Sequence, residues 1–289
     1  MTDTVIADSE GHERRHDERK LVSPIPGNPL AVAFSDIVEA FRVSPVWIHT
    51  GWINVIWRFR RTKLGAFWHT LGLAGFIVTM SVIWSAVLDR NILEYFKYLT
   101  VNLVMWSFIA SFISEGVGTL LNGQSTVLSM RYPYFAFAFG HAWRAVLIFA
   151  HHFVLYIAML LITLTNPGWN ALWAIPALVA IVLNGTWVSM LMGMLSLRWR
   201  DIGPATSTAM QVLMLITPVF WPKEMLGTDF AFAADYNPLY HFMRIVREPL
   251  LGAAPALDSW LWVIGTVVVG WTITLWVYGS YRNRVAYWY

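Results

Sequence analysis

The stretch WRFRRTKLGAFW, residues 57–68, crowds Arg58, Arg60, Arg61 and Lys63 between aromatic side chains. After Lys63 no Asp, Glu, Lys or Arg appears until Asp89. Four cations at the edge of a long apolar run suit two tasks. They hold one end of a membrane span at the headgroups, each basic residue contributing about 1 kcal/mol near an anionic leaflet. They also suit guiding an anionic head in from that leaflet, and both readings stay open. Glu115 is a second candidate, a carboxylate near the end of an apolar segment, where charge at mid-bilayer costs about 2.5–3.5 kcal/mol on insertion scales. It either reaches water, pairs with a loop arginine or meets a partner protein.

Other chemistry is excluded or weak. There is no cysteine, so disulfides, thiolate metal sites and a Cys nucleophile are ruled out. No G-x-x-x-x-G-K-[ST] loop exists to cradle nucleotide phosphates. His151 and His152 have no carboxylate near them in sequence, which favours neutral, hydrogen-bonded rings over a metal site. No metal or cofactor is expected in the chain. The 17 Trp, 11 Tyr and 17 Phe suit membrane-interface belts and packing between helices. A few, with Trp68, Trp84, Trp106 and Phe220 as candidates, could instead line a path through the membrane.

These residues need a membrane scaffold. The 289 residues are 57% hydrophobic and 13% charged, against about 25% charged in a soluble domain. With a mean hydropathy of +0.53, this predicts an all-α polytopic membrane protein. Basic residues border apolar runs, so the basic balance does not imply nucleic acid. Spans are predicted at 64–88, 98–122, 145–164, 171–197, 202–222 and 259–281, the third and fourth parted by the TNPGWN turn at 165–170. Placing the amino terminus in the cytoplasm puts 15 of the 20 Lys and Arg on that side, which predicts that both termini are cytoplasmic.

Residues 1–30, with six Asp/Glu and four Lys/Arg among the first 20, read as a disordered cytoplasmic tail rather than a signal peptide. Residues 31–63 read as two amphipathic interface helices, one carrying Phe34, Ile37, Val38 and Phe41, the other Trp52, Val55, Ile56 and Phe59. Residues 64–289 form the six-span domain. Between spans five and six, Asn237 is a predicted N-cap and Pro238 a first helical residue. The helix they start carries Arg244 and Arg247 opposite an apolar stripe and is too short to cross, so it is expected to lie on or dip into the outer interface. Thr217-Pro218 predicts a kink in span five, with Pro218 a candidate hinge.

RRTKLGAFW (60–68), SEGVGTLLNGQSTVLSMRYPY (114–134), LRWRDIGP (197–204), ITPVFWP (216–222) and YNPLYHFMRIVREPLLG (236–252) occur in order. In them the chain resembles the membrane subunits of type-2 ABC exporters for polysaccharide and polyol phosphate, the O-antigen exporters in particular. The resemblance covers residues 50–289. It implies a homodimer of six-span subunits in the bacterial inner membrane, with two copies of a separate ATP-binding subunit that carry the ATP and Mg. It implies as cargo a lipid-linked polysaccharide, commonly on undecaprenyl diphosphate, and no catalytic residue here. Glu115, Asn122, Arg131, Arg198, Arg200 and Asp201 become candidates for contact with the ATPase. The basic residues usual after Asn122 are thinned to Arg131. Two other classes fit the residues less fully: a membrane enzyme with Asp235, His241, Arg244 and Arg247 as an outer site, and an ion-coupled carrier using Glu115.

Overall fold

A computed structural model describes residues 28–59, 65, 67–227 and 232–289. The cations Arg60, Arg61 and Lys63, and nearly all of the expected tail, lie outside the described residues, as does the side chain of Arg58. Every regular element among the described residues is helical.

Five helices are long and apolar enough to cross a bilayer: α3 (Phe67–Val87), α4 (Ile92–Ser114), α7 (Tyr134–Thr163), α8 (Ala174–Arg198, preceded by a 3₁₀ turn at Gly168–Trp173) and α12 (Leu257–Val285). The expectation of an all-α polytopic membrane protein is met. The fifth expected span differs. Helix α9 (Ile202–Ile216) has 15 residues and then stops. A residue before proline avoids the helical region, and Thr217 is extended at φ −77°, ψ 138°. The expected kink at Pro218 is therefore a termination.

The non-helical run after α9 needs partners, because unsatisfied carbonyls are costly away from water. They come from one face of α4. Asn102 donates to Val219 O at 3.0 Å, and Tyr98 shares its one hydroxyl proton between Trp221 O at 2.8 Å and Pro218 O at 3.2 Å. Tyr95 donates to Phe220 O. Tyr95, Tyr98 and Asn102 fall at helical spacing, so three side chains satisfy four consecutive carbonyls.

Helix α4 is the hub. It packs against α3, α7, α8 and α9, and, past the four-residue helix α10 (Phe232–Asp235), against the short helix α11 (Pro238–Leu250). Its buried residues run from Leu99 through Phe112. Close approach of α8 is permitted by Gly185, whose missing Cβ would stand 2.2 Å from the Phe112 ring. Helices α3 and α12 keep broad apolar faces exposed, including Phe76, Val78 and Val82 on the first and Ile264, Val268 and Ile273 on the second.

The amphipathic pieces form α1 (Pro29–Arg42) and α2 (Ser44–Phe59). Asn28 caps α1 by accepting the Leu30 amide, with Pro29 in the first turn. Ala33, Asp36 and Ala40 turn inward, whereas Phe34, Val38 and Phe41 stay exposed. The greasy stripe thus faces the surroundings, as an interfacial helix requires, and the small and acidic side docks on α12 and α7. At the far end of the bundle α11 follows the expected pattern in part. Asn237 accepts the Leu239 amide at 2.9 Å and Pro238 opens the helix. It does not simply lie on an interface, however, because Tyr240, His241, Met243, Ile245, Val246 and Leu250 are buried against α4, α8 and α12.

Candidate functional site: the α1 end and the α11 end of the bundle

The short helices α5 (Gly118–Leu121) and α6 (Gln124–Ser129) make up the segment between α4 and α7. It is tied to α8 by Ser196 Oγ, which donates to Val117 O at 2.5 Å, and Tyr289 donates to Leu120 O at 2.8 Å. Asn122 ends α5 and is exposed, and Arg131 is exposed beyond α6. Arg198, Arg200 and Asp201 are exposed in the turn between α8 and α9, near the same segment. The Arg198 guanidinium lies 5.9 Å from the Trp199 ring centroid. The structure therefore gathers these sequence candidates at the end of the bundle where α1 and α2 dock.

Glu115 follows the last turn of α4 and pairs with Arg144 of α7, Oε2 to Nη2, at 2.8 Å. That is the pairing option expected from sequence. Arg144 is not a loop residue, though, because α7 starts eleven residues earlier than the expected span, at Tyr134. The same Nη2 lies 2.9 Å from His141 Nδ1. A guanidinium has only donors, so His141 Nδ1 accepts and the ring proton sits on Nε2. Three groups thus clamp the α4 end to α7, next to the α5–α6 segment.

One buried carboxylate was not singled out in the sequence. Asp36 of α1 accepts the Phe135 amide at 3.0 Å and lies 3.5 Å from Arg282 Nη2. It caps the α7 N-terminus from another helix. Burial pushes its carboxyl above the usual carboxylate range, against the lowering effect of the Phe135 amide and its other partners. Its polar position on α1 was visible. That this side faces protein rather than water was not.

At the α11 end the ion pairs are structural. Lys223 pairs with Asp235. Arg244 reaches Glu248 and Asp258, both at 2.6 Å. Arg247 lies 5.5 Å from the Tyr98 ring centroid and 5.6 Å from that of Tyr240, and it donates to Asn102 at 3.4 Å. His241 is 2% exposed, bonded to Ser259 Oγ and to Asp235 O, and stacked on Trp262.

The aromatic candidates separate. Trp68 is exposed near the start of α3. Trp84 is half-buried and stacks on Phe220, with centroids 6.3 Å apart. Trp106 and Phe220 are buried in the subunit's own core. His151 bonds Leu147 O, and His152 bonds Ser107 Oγ. Among the described residues no cluster of three His, Cys, Asp or Glu could hold a metal ion.

Membrane-crossing length, an end-clustered α5–α6 segment and a capped helix α11 are the frame in which similarity to other proteins becomes informative. Two proteins called O-antigen export system permease protein RfbA, from Klebsiella pneumoniae, are similar to this chain. The first is 21% identical over 192 residues and the second 22% over 193, in each case 66% of this chain and 74% of the relative. The chain is distantly similar to these two O-antigen export permeases. No family model matches it. The resemblance to export permeases is upheld by these relatives, and the five long apolar helices make the chain a multi-pass membrane protein.

Proposed function

We propose that this chain is the membrane subunit of an ATP-driven exporter that moves a lipid-linked polysaccharide of the O-antigen kind across the bacterial inner membrane. The similarity to two O-antigen export permeases carries the reading. The geometry supports it in one further way. The α5–α6 segment and the 198–201 turn stand together at one end, braced by Ser196 and by the Glu115–Arg144 pair. A push delivered there reaches α4, α7 and α8 without crossing a flexible loop.

In this reading the chain does no covalent chemistry. Two copies form the path, and two copies of a separate ATP-binding subunit supply the energy. Asn122, Arg131, Arg198, Arg200 and Asp201 meet that subunit, at the cytoplasmic end. Residues 202–222 count as a sixth crossing, because 196 lies beside α5 and 218–221 lie beside the opposite end of α4. Six crossings leave both termini in the cytoplasm. Arg58, Arg60, Arg61 and Lys63 receive an anionic diphosphate head, commonly that of undecaprenyl diphosphate. Trp68 and Trp84 remain candidates for contact with sugar. Trp106 and Phe220 do not, since a buried ring offers no face to a polymer.

The membrane-enzyme reading is the weaker one. Its proposed histidine is sealed between Ser259, Asp235 O and Trp262, and its arginines are engaged by carboxylates, Asn102 or tyrosine rings. The carrier reading needs Glu115 in mid-span, whereas it lies past the end of α4 beside Arg144.

The test is co-purification of the chain with an ATP-binding subunit from the native membrane, followed by export with that subunit's catalytic carboxylate replaced. The proposal expects a stable complex and loss of surface polysaccharide. Export that continues after the replacement would refute ATP-driven transport.

A further inference from the structure

A cavity of about 430 Å³ opens at the α1 end between α2, the α5–α6 segment and the first turns of α7. That volume is within the ordinary range for small-ligand sites, roughly 300–1,000 Å³. Its depth is ordered. Thr119 and His141 are buried at the floor, Arg144 stands in the wall, and Thr50, Asn54 and Asn122 are exposed at the rim. Among the described residues the lining holds one arginine, one histidine and several hydroxyls and amides; Glu115 stands outside it, paired with one nitrogen of Arg144.

Two observations point to a ligand. Thr119 is 8% exposed and its hydroxyl has no hydrogen-bond partner among the described residues. A buried hydroxyl left in this way is costly, by about 1–3 kcal/mol. The second is position. Helix α2 keeps Trp52, Ile56 and Trp57 exposed beside the cavity, the pattern of a helix lying at headgroup depth. An oxygen-rich group of negative charge, arriving at that depth, would meet donors on three sides.

We infer that this cavity holds the phosphate of a membrane-lipid headgroup, taken from the leaflet on which α2 lies, with Thr119 and Arg144 as floor and wall donors and Asn54 and Asn122 at the mouth. A lipid seated there bridges the interfacial helix to the α5–α6 segment. The inference rests on α2 lying at the membrane surface and not on the identity of the cargo, so either can fail alone.

The decisive variant is Thr119→Val. It keeps the shape and removes the hydroxyl, so the chain without lipid keeps or raises its melting temperature. At the same time it should lose about tenfold in retention of phosphatidylglycerol, read by native mass spectrometry of the full chain during delipidation. Thr126→Trp, which narrows the mouth from an exposed short helix, is expected to lose the lipid as well, and Thr126→Ser to keep it. The probes are phosphatidylglycerol, a diglucosyl diacylglycerol without phosphate, and inorganic phosphate. Retention of phosphatidylglycerol over the glycolipid, lost in Thr119→Val, supports the assignment. Equal retention of both lipids, or unchanged retention in Thr119→Val, overturns it. Displacement of the lipid by inorganic phosphate alone would assign the cavity to the free ion and overturn the lipid reading.

Discussion

Asp36 of α1 accepts the backbone amide of Phe135, the second residue of α7, at 3.0 Å. A helix whose own flank offers only Pro133 as N-cap, with no side-chain bond, is thereby capped by a carboxylate ninety-nine positions away. A carboxylate at a helix N-terminus also meets the positive end of the macrodipole. Asp36→Ala should destabilise the fold by about 1–3 kcal/mol, the cost of an orphaned buried donor. Asp36→Asn keeps an acceptor and should cost less. Thermal unfolding of the purified chain in detergent distinguishes the two.

The same residue predicts a pH effect. Its folded carboxyl is raised above the ordinary 3.8, chiefly by burial. The folded state therefore binds the proton more tightly than the unfolded chain does. The associated stability is fully present below 3.8 and is lost as pH rises through the folded value. Docking of α1 should loosen across that window in the wild type, and Asp36→Asn should flatten the profile. Hydrogen exchange at α1 measured across the pH range reads the difference.

Asn102 serves two partners, donating to Val219 O and accepting from Arg247. Asn102→Leu orphans both and should cost roughly 2–6 kcal/mol, taking about 1–3 for each group left without its bond. Tyr98→Phe, which removes the proton shared by Pro218 O and Trp221 O, should cost less, since it leaves no charged group without its bond. The ranking is checked by chemical denaturation of the two variants side by side.

Gly185 sits where a Cβ would fall 2.2 Å from the Phe112 ring. Gly185→Ala should push α8 from α4 and destabilise by about 1–3 kcal/mol. Phe112→Leu in the same chain should recover part of that loss. A double-mutant cycle on melting temperature would show the coupling, and simple additivity would deny the contact.

Asp235→Asn removes the charge that meets Lys223 while leaving the backbone oxygen that meets His241. In the transport reading export falls by less than about twofold, since partly exposed pairs contribute roughly 0–1 kcal/mol. Abolished export with normal folding would revive the enzyme reading.

The long apolar runs, the TNPGWN turn and the Asn237-Pro238 start were legible because each depends on local physics: hydrocarbon burial, turn residues and capping. What the sequence concealed depends on distant partners. A kink was expected at Pro218, whereas α9 ends before it, and the carbonyls beyond are held by Tyr95, Tyr98 and Asn102 on another helix. Those three were not singled out in the sequence, and the expected span began only at 98, which left Tyr95 outside it. Arg144 looked like part of a loop because charge was taken as the border of a span, whereas α7 continues past it with Glu115 and His141 as partners. The candidate cavity had no linear signature, since its walls come from three segments that meet only after folding.

The four carbonyls held by α4 also bear on the order of biogenesis. Residues 202–222 emerge from the ribosome after α4, and if they are the proposed sixth crossing, the carbonyls of 218–221 lack their partners in lipid until Tyr95, Tyr98 and Asn102 are in place. The segment is thus a late arrival that must be received by an earlier one. Damage to α4 would accordingly strand it at the translocon and invite proteolysis there, well before any transporter had been assembled.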